Sequence, residues 1–252
     1  MIALLHRRAV ILSSALWLMA FTPGLAGETK VAVATNFTEP AKAIASRFEQ
    51  VTGHKATLSF GSSGQFYTQI ANGAPFEVFL SADAERPIKT EAQGLAVAGS
   101  RFTYATGRLV LWSRTPGQID ARGAVLGRGD FEKLAIADPK SAPYGLAAME
   151  TLAALKLDSA LKPKLVTGAS ITQAFQYAQT GAAELGFVAL SQVVNAPGGS
   201  RWVVPARLHT PIDQQAVLLK TGADNPAAKA FVQFLKGPEA RAIIQRYGYE
   251  VG

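Results

Sequence analysis

Four short segments carry the residues of this chain that could do chemistry: Thr35-Asn36, Ser62-Ser63, Pro143-Tyr144-Gly145 and Ser170-Ile171. Each follows a run that reads as a β-strand and opens a stretch of helical apolar periodicity, and none contains Lys, Arg or His. The first N–H groups of a helix lack partners inside it, and the macrodipole places about half a positive charge there. The chemistry on offer is therefore neutral hydrogen-bond donation to an anion. Ser62 and Ser63 add hydroxyls, and Gly61 and Gly64 are expected to take positive φ and let the backbone come close to a ligand. Any one of these turns is equally the start of an ordinary capped helix. What favours a site is that the same chemistry recurs four times, twice in each of two expected lobes.

Other chemistry has little to build on. The chain has no cysteine, which excludes disulfides, thiolate metal sites and cysteine nucleophiles. Of its three histidines, His6 lies in the N-terminal leader, and His54 and His209 are too few for a histidine-rich zinc site, so no direct metal ligand is expected. Ser62, Ser63 and Ser170 have no evident histidine partner. Gly61-Ser62-Ser63-Gly64 does not match Gly-x-Ser-x-Gly, so no enzyme is expected and no catalytic residue is assigned. The net charge of +7 becomes +5 once Arg7 and Arg8 are removed. The basic residues are scattered, without a block of five or interleaved aromatics, so nucleic acid is not an expected partner. A modest positive field can still steer a small anion.

These turns need elements to hold them in place. The 252 residues, 48% hydrophobic and 17% charged, can bury a sizeable core and are long enough for two domains. His6-Arg7-Arg8, the uncharged residues 9–21 and Thr22-Pro23-Gly24-Leu25-Ala26 read as a secretory signal peptide over residues 1–26, which implies a periplasmic protein. An uncleaved anchor is the other reading. Strands are expected at residues 30–35, 57–60, 77–83, 102–106, 108–112, 134–138, 186–190, 201–205 and 215–220. Helices are expected from near Thr38 (read as a cap), Gly64, Tyr144, Ile171, Pro226 and Pro238, with Gly53 and Gly181 as left-handed ends. Strands and helices alternating in this way indicate an α/β fold of mostly parallel sheets flanked by helices, with ligands at the carboxyl ends of strands. The expected division is residues 27–107 plus 207–252 in one lobe and 108–206 in the other, with the ligand cleft between them.

The motifs also carry a family likeness. They are Val33-Ala34-Thr35-Asn36-Phe37-Thr38, Phe60-Gly61-Ser62-Ser63, Gly73-Ala74-Pro75 leading into Phe79-Leu80-Ser81-Ala82-Asp83, Asp138-Pro139 with Pro143-Tyr144-Gly145, and Leu235-Lys236-Gly237-Pro238 through Arg246-Tyr247-Gly248. In order and spacing, the set resembles the periplasmic molybdate-binding proteins of ABC importers, over essentially all of the mature chain. The resemblance implies a two-lobed, hinge-bending periplasmic-binding-protein fold that holds tetrahedral molybdate or tungstate through neutral donors. It implies no cofactor, a monomer, and delivery to an ABC transporter permease in the inner membrane. Carried over by position, the ligand-binding residues are Thr35, Asn36, Ser63, Tyr144 and Ile171, the last through its backbone N–H. Many members have serine at the position of Asn36. Some place a ligand tyrosine where this chain has Ala189 and an alanine where it has Tyr144, so the resemblance implies a phenol supplied from another strand end.

The anion chemistry is consistent with that assignment. Molybdate, tungstate and sulfate are fully deprotonated near neutral pH, and donors without acceptors satisfy them. Hydrogen phosphate keeps a proton and needs a carboxylate acceptor; the nearest, Asp138, reads as a turn residue beside Pro139. Another oxyanion such as sulfate, or an oxyanion-sensing domain, stays open as an alternative.

Overall fold

The computed structural model describes residues 26–251; the signal peptide read at residues 1–26 falls, except for Ala26, outside them. Ten strands form two five-stranded sheets. The first sheet has the order β2-β1-β3-β10-β4, built from β1 (Glu28–Ala34), β2 (Lys55–Gly61), β3 (Val78–Leu80), β4 (Phe102–Gly107) and β10 (Ile212–Leu218). The second has the order β7-β6-β8-β5-β9, from β5 (Leu109–Ser113), β6 (Leu134–Ala137), β7 (Leu165–Gly168), β8 (Leu185–Ala189) and β9 (Ser200–Val203). In each sheet a single strand, β10 or β5, runs against both of its neighbours, and the other strands share one direction. The fold is thus two-lobed and mostly parallel, and the chain passes from the first sheet to the second at Gly107.

The helices are α1 (Thr38–Thr52), α2 (Ser63–Ala71), α3 (Glu85–Ala92), α4 (Val125–Arg128), α5 (Pro143–Ala154), α6 (Asp158–Leu161), α7 (Ile171–Thr180), α8 (Leu190–Val193), α9 (Pro226–Lys236) and α10 (Pro238–Arg246). No helix among the described residues is long and apolar enough to cross a membrane. Strand patterning sets which core each side chain enters. Along β5, Leu109 and Leu111 join the core against α5, and Val110 and Trp112 join the opposite face with Val188. That is the period-two alternation of a strand buried on both sides. In the first lobe Val31, Val33, Ile44, Phe48, Leu80 and Phe231 make the main core, and Ala32, Phe66, Phe79 and Val217 lie across the sheet from it. Gly53 and Gly181 end α1 and α7 at φ of 73° and 82°, the left-handed ends expected.

Three local readings need correction. Thr38 does not cap α1: a short 3₁₀ turn over Thr35–Phe37 precedes it, and its hydroxyl donates to the Thr35 carbonyl at 2.8 Å. The returning strand β10 begins at Ile212, ahead of the residues 215–220 expected, because Asp213, Gln214 and Gln215 hide the apolar alternation. Strand β7, which leads into the Ser170 turn, has no range among the expected strands, since it is four residues long and only Gly168 within it is buried.

Candidate oxyanion site

The carboxyl ends of β1, β2, β6 and β7 run into the 3₁₀ turn before α1 and into α2, α5 and α7. These four helix starts meet between the lobes. Thr35, Asn36, Ser63, Tyr144 and Ile171 all line one cavity there, with Ser62 beside Ser63 and Ala34, Ala82, Ala142 and Pro143 completing the wall. No lining residue is charged. The cavity is small and nearly closed, with about 10 Å³ open to the centre of a water-sized sphere, about the least that admits one water molecule.

Each turn presents its donors differently. Ser62 caps α2 in a reciprocal box: its Oγ accepts from Gln65 N–H at 3.4 Å and its own N–H donates to Gln65 Oε1 at 3.2 Å. That box occupies the Ser62 hydroxyl, while Ser63, 1% exposed, lines the cavity beside it. Ser63 Oγ accepts from Ala82 N–H at 2.9 Å, so the hydroxyl proton is directed away from that bond. On α7, Ser170 Oγ takes Gln173 N–H at 3.3 Å, and Ile171 follows as the first helical residue, its side chain buried. Gly61 and Gly64 do not take the positive φ expected of them. A side chain at Gly61 would meet the Phe66 ring, and one at Gly64 would meet Ser141 of the other lobe, so both glycines serve close packing.

Asn36 differs most from expectation. Its Nδ2 donates to Gln214 Oε1 at 2.8 Å and to Tyr249 Oη at 3.0 Å, and its carbonyl accepts from Ser191 Oγ and Tyr249 Oη, both at 2.7 Å. Both side-chain N–H groups are committed behind the cavity, which leaves the main-chain N–H of the turn to face it. Gln214 also donates to Tyr144 Oη at 3.2 Å, and Tyr104 Oη lies 3.0 Å from Gln214 Oε1. Tyr144 thus accepts one bond from the network, and its hydroxyl also neighbours that of Tyr249. Gly107 makes room for this arrangement, since a Cβ there would stand 2.1 Å from Tyr144 Oη. Asp138 is a turn residue, its carboxylate accepting from Lys140 N–H at 3.1 Å and Ser141 Oγ at 2.8 Å, and it does not line the cavity.

Sequence reasoning missed Tyr104, Ser191, Gln214 and Tyr249. The one available signal was inward alternation of Ile212, Gln214, Ala216 and Leu218 along β10, where a glutamine at a core position demands partners. Burial holds the phenols neutral: Tyr104 and Tyr144 are pushed well above the usual tyrosine range, and Tyr249 is pushed up to about 12. A phenol whose pKa is higher in the folded state stabilises the fold fully below its unfolded value near 10. That contribution is lost as pH climbs toward 12. Denaturant titrations should therefore show stability falling above about pH 10, with Tyr249 alone accounting for about 3 kcal/mol across the window to about pH 12. Unchanged stability at pH 11 would contradict the assignment.

Comparison with known proteins places this geometry. The family model described as bacterial extracellular solute-binding protein matches residues 29–250. The chain is 61% identical over 227 residues to the molybdate-binding protein ModA of Rhodobacter capsulatus, covering 90% of each. It is 60% identical over 227 residues to the protein of that name from Azotobacter vinelandii, covering 89% of this chain and 90% of the relative. A solved structure of an Azotobacter vinelandii periplasmic molybdate-binding protein superposes with a TM-score of 0.87 at 45% identity, over 89% of this chain and 99% of that one. The chain belongs to the bacterial extracellular solute-binding protein family, within its periplasmic molybdate-binding proteins of ABC importers, and is not an enzyme.

Proposed function

We propose that this protein binds molybdate, and tungstate with it, in the periplasm and delivers the oxyanion to an ABC transporter permease in the inner membrane. The observation that carries the reading is a small, uncharged, donor-lined cavity between two lobes, in a chain about 60% identical to molybdate-binding proteins. The donors are the N–H groups of the Thr35-Asn36 turn, the N–H and hydroxyl of Ser63, the phenol of Tyr144 and the N–H of Ile171. A fully deprotonated dianion accepts from all of them and needs no acceptor in return. Each helix start contributes upwards of 0.3–1 kcal/mol, more when partly buried, so the four together substitute for a cationic side chain. The lobes are residues 27–107 with 207–252, and 108–206, and ligand closes them because it touches both. Residues 1–26 direct export.

Thermal unfolding tests this reading. Molybdate at a thousand times its Kd raises the unfolding free energy by about 4 kcal/mol, or very roughly 8–16 °C in midpoint for a chain of this size. Phosphate at the same concentration leaves the midpoint unmoved, and equal shifts with both anions would contradict the donor-only site. Within the site, Tyr144→Phe removes one hydrogen bond to a charged group and should weaken molybdate binding about tenfold to a hundredfold. An unchanged affinity would take the phenol off the ligand list and leave Tyr144 a member of the buried network alone.

A further inference from the structure

Helix α2 divides its N-terminal donors. Gln65 N–H is taken by the Ser62 cap, Ser63 faces the cavity, and Gly64 N–H crosses the cleft to the Ser141 carbonyl at 2.9 Å. One residue back in the same loop, the Lys140 carbonyl accepts from Arg86 Nη2 at 3.0 Å. Arg86 is fixed for this: its Nη1 pairs with the Asp83 carboxylate, and its backbone N–H donates to Asp83 Oδ1 at 3.0 Å. The Arg86 and Asp83 side chains are 16% and 17% exposed, so the pair is far better shielded than the surface ion pairs of this protein. Two donors from the first lobe therefore hold the carbonyls of consecutive residues in the second, next to the Ala142, Pro143 and Tyr144 that wall the cavity.

The fit depends on Gly64 having no side chain. A Cβ there would lie 2.9 Å from Ser141 Cα and 3.0 Å from its carbonyl oxygen. Both are main-chain atoms of the opposite lobe, and they can yield only if the lobes part. The φ of Gly64 is not positive, so alanine is compatible with its backbone; within its own lobe the Cβ would meet only the Arg86 side chain, whose Nε lies 3.3 Å away and can give by a few tenths of an ångström.

We propose that Gly64 and Arg86 form an interlobe latch on the Lys140-Ser141 carbonyls, positioning residues that never touch the oxyanion but set how long the closed lobes retain it. The proposal rests on the molybdate reading of the cavity. Apparent affinity scales with the population of the closed state, so weakening the latch shows as faster release.

The test is the rate of molybdate release, measured by rapid mixing, for the wild type, Gly64→Ala, Arg86→Met and Arg86→Lys. Gly64→Ala should release at least about tenfold faster, equivalent to about 1.4 kcal/mol. Its ligand-free unfolding midpoint should hold or rise, because alanine is the better helix residue. Arg86→Met should also release faster, and Arg86→Lys should recover much of the loss because it can still pair with Asp83. A purely structural role would lower the midpoint and the affinity together. Release at the wild-type rate in both Gly64→Ala and Arg86→Met overturns the latch. A wild type that bound no molybdate would instead overturn the function reading. Small-angle scattering of the ligand-free proteins decides the latch even then: Gly64→Ala should be the more open, and identical curves overturn it.

Discussion

Gly145→Ala should lower the thermal midpoint by roughly 6–12 °C, the consequence of about 3 kcal/mol of overpacking in a chain of this length. A Cβ at Gly145 would lie 2.3 Å from the Ala137 carbonyl oxygen and 2.8 Å from its carbon. Those atoms end β6, where Ala137 is paired with Gly168 of β7, so they are held against retreat. The start of α5 must lift away instead. Tyr144, 1% exposed and hydrogen-bonded to Gln214, is the preceding residue and would be carried with it. Stability and molybdate affinity should fall together, read by thermal unfolding and by titration on the same sample. A midpoint within about 1 °C of wild type would show that α5 can shift without cost, and the close packing assigned to Gly145 would be wrong.

Ser63→Ala should weaken molybdate binding about tenfold to a hundredfold, the usual worth of a hydrogen bond to a charged partner. Ser63 Oγ already accepts from Ala82 N–H at 2.9 Å, which fixes the oxygen and leaves the hydroxyl hydrogen to be donated into the cavity. Alanine deletes that donor and also leaves the Ala82 N–H, on a residue 2% exposed, without its partner. A loss of about 1–3 kcal/mol in stability should accompany the loss of affinity. Ser63→Asp is the harsher change, since it sets an acceptor-only anion against another, and should abolish binding. Calorimetry on both variants decides the point: a Ser63→Ala affinity within a factor of about three of wild type would remove the hydroxyl from the site.

Local signals made much of this arrangement readable. Thr35, Ser63, Tyr144 and Ile171 each stand where a parallel strand hands over to a helix. That handover is written in a few consecutive residues: a β-branched or apolar run, a small or capping residue, then helical periodicity. Because parallel strands of one sheet deliver their carboxyl ends to the same edge, four such handovers converge on one cleft. The likeness to molybdate-binding proteins then fixed which residue of each turn to name. The polar network behind the site had no comparable signature. Asn36 and Tyr249 are 213 residues apart, and Asn36 and Gln214 are 178 apart. No periodicity links such pairs; only the closed fold brings them together. The same holds for Gly64, whose sequence context suggested ligand contact and whose actual neighbour is Ser141. Glycine in a turn announces that something comes close, and the three-dimensional packing decides what.

A cavity lined by neutral donors alone should select a fully deprotonated tetrahedral dianion. The deciding measurement is calorimetric titration of the mature protein with molybdate, tungstate, sulfate and phosphate at neutral pH. One tight site for molybdate and tungstate is expected, with weaker sulfate binding limited by cavity size and no measurable binding of phosphate. Tight binding of phosphate, or of sulfate in preference to molybdate, would contradict it.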